Sequence, residues 1–582
     1  MCSRDRALTN CYGANFDLPS AERAAAKEER LKCMTAARGL AIDNGRPLVS
    51  RMRLDAAIAR LKRGKGSSDG ITAEMLQALP HEARNSLTVN LAERCAKLDI
   101  PPEWCVSRIS LAPKVVGATS LAGYRPIAGL ISMRKLLGYL WLSSLPQITF
   151  HSIQTAFVPG SQADTGPFIL NRASELAREW RVSLSVCQVD IHKAFDHVSH
   201  VACFEAMRKK NISPFSIGLM AAIWNATSLV VGLGHCSSEV IAMNRGLPQG
   251  APESPMILTL LIDMVLTYVA GKWRANGWGF RIDQVYVSGI AYADDIVLVA
   301  HSAAHIQEMA EDIARELRAV SLGIGAPKTH WTSTPALEGE CIMVEGAAVA
   351  WEPAITVVGT VIYLGDTCGA AMAYRMAQAD KCFAKWRGVL TCSQVSLKRR
   401  LALLPRTVWN ALLWSSSTWC MTKVQRSQLA SWSARTIARV VKVKRRNDMD
   451  AATHWRPLHR TGHAWAASMG IAVVPRAKMR VFKWAGLLAR MSPKAPAAAA
   501  LRCRSLQWWR WKQFQVASAS QVPGAPGAHP RRFRIMRWEE QITAHFLEGH
   551  SERVEANTGW LLKAQNENDW KAAALVAAAA GS

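Results

Sequence analysis

The chain has 582 residues, 49% of them hydrophobic, and a formal net charge of +27. Its length allows several packed domains, and its charge asks for a polyanionic partner, either nucleic acid or an anionic membrane. Its 14 cysteines are scattered with no Cys-x-x-Cys pair, which excludes a zinc ribbon and a disulfide framework and fits a reducing compartment.

The start, Met1-Cys2-Ser3-Arg4-Asp5-Arg6, leads into no apolar segment of the secretory kind, so the protein is expected in the nucleus and cytoplasm. Residues 1–50 are mixed in charge and rich in Ala, with a helix expected over 21–39 and no legible function. A helical apolar pattern at Met52, Ala56 and Ala59 precedes the basic, Gly-rich loop 64–70. That loop lacks the strand and the Gly-Lys-Ser ending of a phosphate-binding NTPase loop, which excludes that activity. Residues 108–114 read as a strand ending at Lys114, and Tyr124-Arg125-Pro126-Ile127 follows a turn. Lys114 and Arg125 could grip a triphosphate or be solvated surface.

Residues 184–190 are an apolar strand that delivers Asp190 at its end. Val198, Val201, Phe204 and Met207 then recur at helical spacing, and Asp196 is expected to cap that helix. Residues 244–252 form a Gly/Pro-rich loop that opens a helix near Ser254-Pro255. Residues 255–270 are the most apolar run, short for a membrane span and interrupted by Asp263, so a buried helix and no membrane are expected. The polyanion is therefore taken to be nucleic acid.

Ile290-Ala291-Tyr292-Ala293-Asp294-Asp295 and the apolar residues 296–299 predict two strands joined by a tight turn with both Asp residues at its tip. Neighbouring carboxylates repel unless a cation neutralises them, and hard oxygen ligands suit Mg²⁺. The alternative is an ordinary polar turn. An Asp190 carboxylate at a nearby strand end would complete a three-carboxylate cage. Ser302 is expected to cap a helix with a core face of Ile306, Met309, Ile313, Leu317 and Val320, ended by Gly323. Residues 375–447 carry many Lys and Arg against one acidic residue, Asp380, with Trp386, Trp409, Trp414, Trp419 and Trp432 interleaved. Such helices make an electrostatic track for a nucleic-acid backbone, and the tryptophans read as core. Lys398, Arg399, Arg400, Lys442, Lys444, Arg445 and Arg446 are the expected contacts. His454, His459 and His463 have no Cys nearby and do not match the usual zinc sets.

The ordered series resembles the reverse transcriptases of non-LTR (LINE-type) retrotransposons. Seven stretches carry it, in order: residues 66–71, 102–114, 124–127, 155–160, 189–198, 246–255 and 292–295. The resemblance implies an α+β right-hand polymerase whose palm is an antiparallel sheet backed by helices. It divides the chain into an N-terminal extension (1–50), fingers (51–182), palm (183–370), a basic helical thumb (371–455) and a basic, Trp-rich C-terminal region (456–582).

By the same resemblance Asp190, Asp294 and Asp295 are catalytic, and with Ile191 they form the metal set for two Mg²⁺ ions, with Mn²⁺ as the alternative. Lys114, Arg125, Phe195, Gln249, Gly250 and Lys328 would meet the incoming nucleotide, with Phe195 as the gate against a 2′-hydroxyl. His192, Pro252-Glu253 and Gly325-Ala326-Pro327 depart from the family's pattern. The implied partners are an RNA template, a DNA primer and dNTPs, with an endonuclease from a missing domain or another chain. A catalytically inactive or maturase-like RNA-binding protein of the same fold is the alternative function. Phe195 speaks against an RNA-dependent RNA polymerase, and the carboxylates against a merely structural basic protein.

Overall fold

The computed structural model describes residues 6–579 apart from 7–8, 11, 39, 41, 44–45, 114–122, 159, 234–235, 283–284, 366, 443–450, 503–537, 540, 543–559 and 562. In chain order its principal strands are β1 (Val106–Pro113), β2 (Tyr124–Gly129), β3 (Leu184–Asp190), β4 (Ser228–Leu233), β5 (Gly289–Tyr292), β6 (Asp295–Ala300) and β7 (His330–Thr334). The helices used below are α1 (Ser20–Ala37), α2 (Thr165–Trp180), α3 (His200–Lys209), α4 (Pro214–Ala226), α5 (Ser254–Ala275), α6 (Ala303–Ala319), α7 (Thr367–Leu390), α8 (Leu397–Leu403), α9 (Lys423–Val441), α10 (Ala451–Ser468) and α11 (Val473–Arg490). The mixed helix and sheet content is the α+β class expected.

The chain forms two compact units that cut across the five-part division. One comprises residues 1–157, 190–272 and 310–326; the other comprises 158–189, 273–309 and 327–582. In the first, β1 pairs antiparallel with β2, where Ala112 faces Arg125, and parallel with β4, where Ile109 faces Val231. Helix α1 crosses α4 at Gly218, where an added Cβ would overlap the Ala37 side chain and stand 2.8 Å from the Cys33 carbonyl oxygen. Only a residue without a side chain allows that approach.

Helix α5 is long and apolar enough to cross a membrane by length and composition, and 67% of its apolar window is buried inside the protein. Ile257, Leu258, Leu261 and Ile262 are fully buried, each contributing about 1.5–3 kcal/mol by leaving water. The buried Asp263 is held by Lys210 at 2.5 Å and accepts the His151 backbone N–H at 2.7 Å.

The second unit holds the four-stranded sheet, in the order β5-β6-β3-β7. β5 and β6 are antiparallel, as are β3 and β7, where Trp331 faces Cys187. Its core joins Leu184, Val186, Val297 and Val299 of the strands to Phe168 of α2 and Trp484 of α11. Trp538 completes the cluster, its ring edge-on to Phe168 with centroids 5.0 Å apart. Trp484, Trp538, Trp560 and Trp570 of the C-terminal region therefore belong to the core of the sheet. The fully buried Arg172 lies between Glu175 and Glu539, 2.7 Å from each.

A second core, all helical, contains Phe383, Leu401, Trp409, Trp419 and Trp432. Trp386 and Trp414 depart from the core expectation, being 38% and 43% exposed. On α6 the five expected core residues are buried, and Ser302 caps the helix by accepting the His305 N–H at 3.2 Å. The helix stops earlier than expected, because Ser321 rather than Gly323 takes the left-handed conformation, with φ +64°.

Candidate active site

Buried apolar residues flank the acidic pair, Ile290 and Ala291 before it and residues 296–300 after it. Such near-continuous apolar runs form strands covered on both faces. The register runs from Gly289↔Leu298 to Tyr292↔Asp295, so the turn is Ala293-Asp294. Asp294 stands at the tip as expected. Asp295 does not: it is already the first residue of β6, paired with Tyr292. Both are half-buried. Ala293 has φ +58°, a conformation that costs an L-residue about 1–2 kcal/mol. Strain of this kind persists only where neighbouring pairs over-determine the backbone, and it gathers at functional sites.

Asp190 closes β3, as the sequence predicts. Its carbonyl accepts the Gly325 N–H at 2.8 Å, while the His192 N–H donates to Gly323 at 2.9 Å. Between them the buried Ile191 bridges Ile324. A Cβ on Gly325 would stand 3.2 Å from the Asp190 carboxylate, tighter than ordinary contact, so the departure at Gly325 has a local reason. Among the described residues no three His, Cys, Asp or Glu side chains form a group that could hold a metal ion. By chemistry the donor set is all oxygen, which suits a hard divalent cation. His454 lies outside the described side chains; His459 and His463 have rings 6.1 Å apart and belong to no such group.

Phe195 and Gln249 lie on two segments that hold each other within the first unit. Leu247 N–H donates to the Phe195 carbonyl at 2.6 Å, and Gly246 N–H to Val198 at 2.8 Å. Gly246 has φ +85°, and a Cβ there would lie 2.6 Å from the Asp196 carbonyl. Phe195 itself is half-buried. Asp196 is not the helix cap: the Ser199 hydroxyl caps α3 by accepting from Ala202. The buried Asp196 carboxylate instead accepts the Gln249 side-chain amide at 3.1 Å. Gln249 also binds β2, its carbonyl accepting the Ala128 N–H at 2.8 Å. Gly250 follows with φ +128°, where a Cβ would stand 2.8 Å from the Ala128 carbonyl.

A cavity of about 480 Å³ opens beside Gly250, lined by Lys62, Lys65, Ser68, Arg108 and Lys135 and by no carboxylate. Burial, and then the charge of Lys65, push the Lys135 ammonium below its usual pKa. The Gly-rich loop set aside as an NTPase signature thus forms part of a cationic wall. Arg125 is exposed on β2, and Lys328 is exposed in the single turn Ala326–Lys328. Lys114 lies outside the described residues.

Sequence reasoning missed what supports the 246–252 loop. Glu253, which departs from the family's pattern by adding a charge next to the helix start, is completely buried and ion-paired with the buried Arg134. Gly138 makes room for it, since a Cβ there would overlap the Glu253 carboxylate. The one available signal was a Gly four residues after an Arg, on the same face of one helix.

Lys398 and Arg399 are exposed on α8, and Lys442 is exposed after α9. Arg400 overturns its expected role as a phosphate contact. It is 8% exposed, and its guanidinium donates to the carbonyls of Val395 at 2.9 Å, Leu390 at 3.3 Å and Val440 at 2.7 Å. Orphan carbonyls at helix ends need such a donor. Lys444, Arg445 and Arg446 lie outside the described residues.

Residues 114–366 match the family described as reverse transcriptase (RNA-dependent DNA polymerase). The Pol polyprotein of the type-1 retrotransposable element R2 from Popillia japonica is 24% identical over 298 residues, 50% of this chain and 40% of that protein. An uncharacterized 149 kDa protein of transposon TX1 from Xenopus laevis is 23% identical over 381 residues, 62% of this chain and 28% of that protein. The chain thus spans well under two thirds of the curated relatives it matches. Among solved structures, apo telomerase from Candida tropicalis is similar at a TM-score of 0.35 and 13% identity, covering 73% of each chain.

Proposed function

We propose that this chain, which belongs to the reverse transcriptases of non-LTR retrotransposons, is an RNA-directed DNA polymerase that extends a DNA primer on an RNA template. The observation that carries the reading is the hairpin register, which sets Asp294 in a strained two-residue turn within the matched region. Asp190, Asp294 and Asp295 would hold divalent ions, which when bound supply the polarisation of the attacking hydroxyl and neutralise the leaving pyrophosphate. The chain's own part is positioning. Phe195 would lie under the sugar and exclude a 2′-hydroxyl. Gln249, fixed by Asp196, and Gly250 would line the nascent base pair. Arg125 and Lys328 would meet the triphosphate, with Lys114. The cationic cavity beside Gly250 would take template phosphates, whose contacts are charge-assisted.

Primer extension on an RNA template tests the reading directly. The parent should incorporate dNTPs, while Asp294→Ala and Asp190→Ala should not, and all three should bind template–primer alike. Extension by Asp294→Ala at the parental rate would sink the assignment. A parent that binds RNA but never extends would instead be the inactive or maturase-like protein.

A further inference from the structure

The N-terminal segment has no function legible in its sequence, yet within the first unit it reaches both halves of the Phe195–Gln249 turn pair. Arg30, on α1, is 5% exposed and donates to His200 Nδ1 at 3.2 Å. The opposite ring nitrogen of His200, Nε2, donates to the Gly246 carbonyl at 2.9 Å. A guanidinium has no acceptor, so Nδ1 must be the unprotonated nitrogen and Nε2 must carry the hydrogen. The ring is 1% exposed and stacks on Trp224 with centroids 4.3 Å apart, so it has one orientation. Burial keeps it neutral, its pKa pushed down to about 3.

Arg30 is the unusual member. A buried guanidinium is costly unless paired, and among the described residues no carboxylate pairs with it. The helix that carries it is held independently. Gly218 admits α1 against α4, and Glu29 pairs with Arg208 of α3. A second contact repeats the pattern closer to the chain start. The Asn15 side-chain oxygen accepts from Lys193 Nζ at 2.9 Å, and its carbonyl accepts from Arg245 Nε at 2.8 Å. Lys193 stands two residues before Phe195, and Arg245 one residue before Gly246.

We propose that residues 12–37 are a positioning element for the incoming nucleotide: the relay Arg30–His200–Gly246, with Asn15 bridging Lys193 and Arg245, sets the turn from which Phe195 and Gln249 act. This rests on the polymerase reading above. Arg30, His200 and Asn15 are positioning residues, acting through Gly246, Lys193 and Arg245.

Two measurements on the full chain test it. The first is single-nucleotide extension with dNTP titration for the parent, His200→Leu, His200→Gln and Arg30→Met. His200→Leu cannot donate to Gly246 and should raise KM for dNTP about tenfold, with kcat within about twofold and template–primer Kd unchanged. His200→Gln keeps a donor and should return KM to within about twofold of the parent. The second is amide hydrogen exchange over 244–252, which should quicken in His200→Leu and in Arg30→Met and stay parental in His200→Gln. Equal behaviour of the Leu and Gln variants would overturn the proposal, as would parental KM and exchange in both His200→Leu and Arg30→Met. Should His200→Leu fail to fold, Arg30→Met decides alone. A parent without extension activity would overturn the polymerase reading, and exchange over 244–252 would then decide the positioning by itself.

Discussion

Two short segments carry the candidate chemistry, and they are held in opposite ways. The Ala293-Asp294 turn is clamped by its own strands, whose buried apolar residues and cross-strand pairs act within a dozen residues. The 194–198 and 246–250 pair owes little to local apolar pattern. It rests on backbone hydrogen bonds, on Asp196–Gln249, and behind the loop on the buried Arg134–Glu253 ion pair. Apolar clamping is forgiving of surface change at the tip. Polar clamping is unforgiving, because losing one partner strands the other in a dry interior.

Substitutions at the two segments should therefore fail differently. The largest effect expected is Asp294→Ala, which should lower primer extension by at least about a thousandfold, the scale of losing an essential electrostatic group. Its unfolding free energy should stay within about 0.5 kcal/mol of the parent, since the strands do the holding. A large loss of stability in denaturant titration would break the comparison. Glu253→Ala should show the reverse, destabilising by about 3–5 kcal/mol because Arg134 is left buried and unpaired. Replacing both Arg134 and Glu253 by Met should regain most of that stability; no recovery would mean that Glu253 acts through something other than the pair.

Phe195→Val probes the polar segment's chemistry. The ratio of kcat/KM for dCTP to that for CTP should fall by about 10–100-fold, the range of steric and hydroxyl-reading sites. An unchanged ratio in a folded, active variant would leave Phe195 as packing. The smallest effects separate two kinds of arginine on one short helix. Lys398→Gln with Arg399→Gln should flatten the salt dependence of template–primer binding by up to about 0.7–0.9 in log K against log salt per lost contact, without loss of stability. Arg400→Gln should leave that slope alone and cost about 1–3 kcal/mol in unfolding, since three carbonyls lose a donor. A changed slope for Arg400→Gln would restore it to the binding surface.

What the sequence determined by itself is what repeats locally. The hairpin, the strand ending at Asp190, the buried helix over residues 255–270 and the core face of α6 follow from periodicity and turn chemistry, which neighbouring residues impose on one another. Tertiary structure decided the rest. Gln249 reaches Asp196 across 53 residues, Arg134 reaches Glu253 across 119, and Arg30 reaches His200 across 170. By sequence alone Asp196 reads as a cap, Glu253 as an added charge with no partner in view and Arg400 as a phosphate contact, because a polar side chain in sequence shows its chemistry and not its partner. Hydrophobic burial is non-directional and leaves a periodic trace, whereas a buried hydrogen bond or ion pair exists only once the fold has brought one donor to one acceptor.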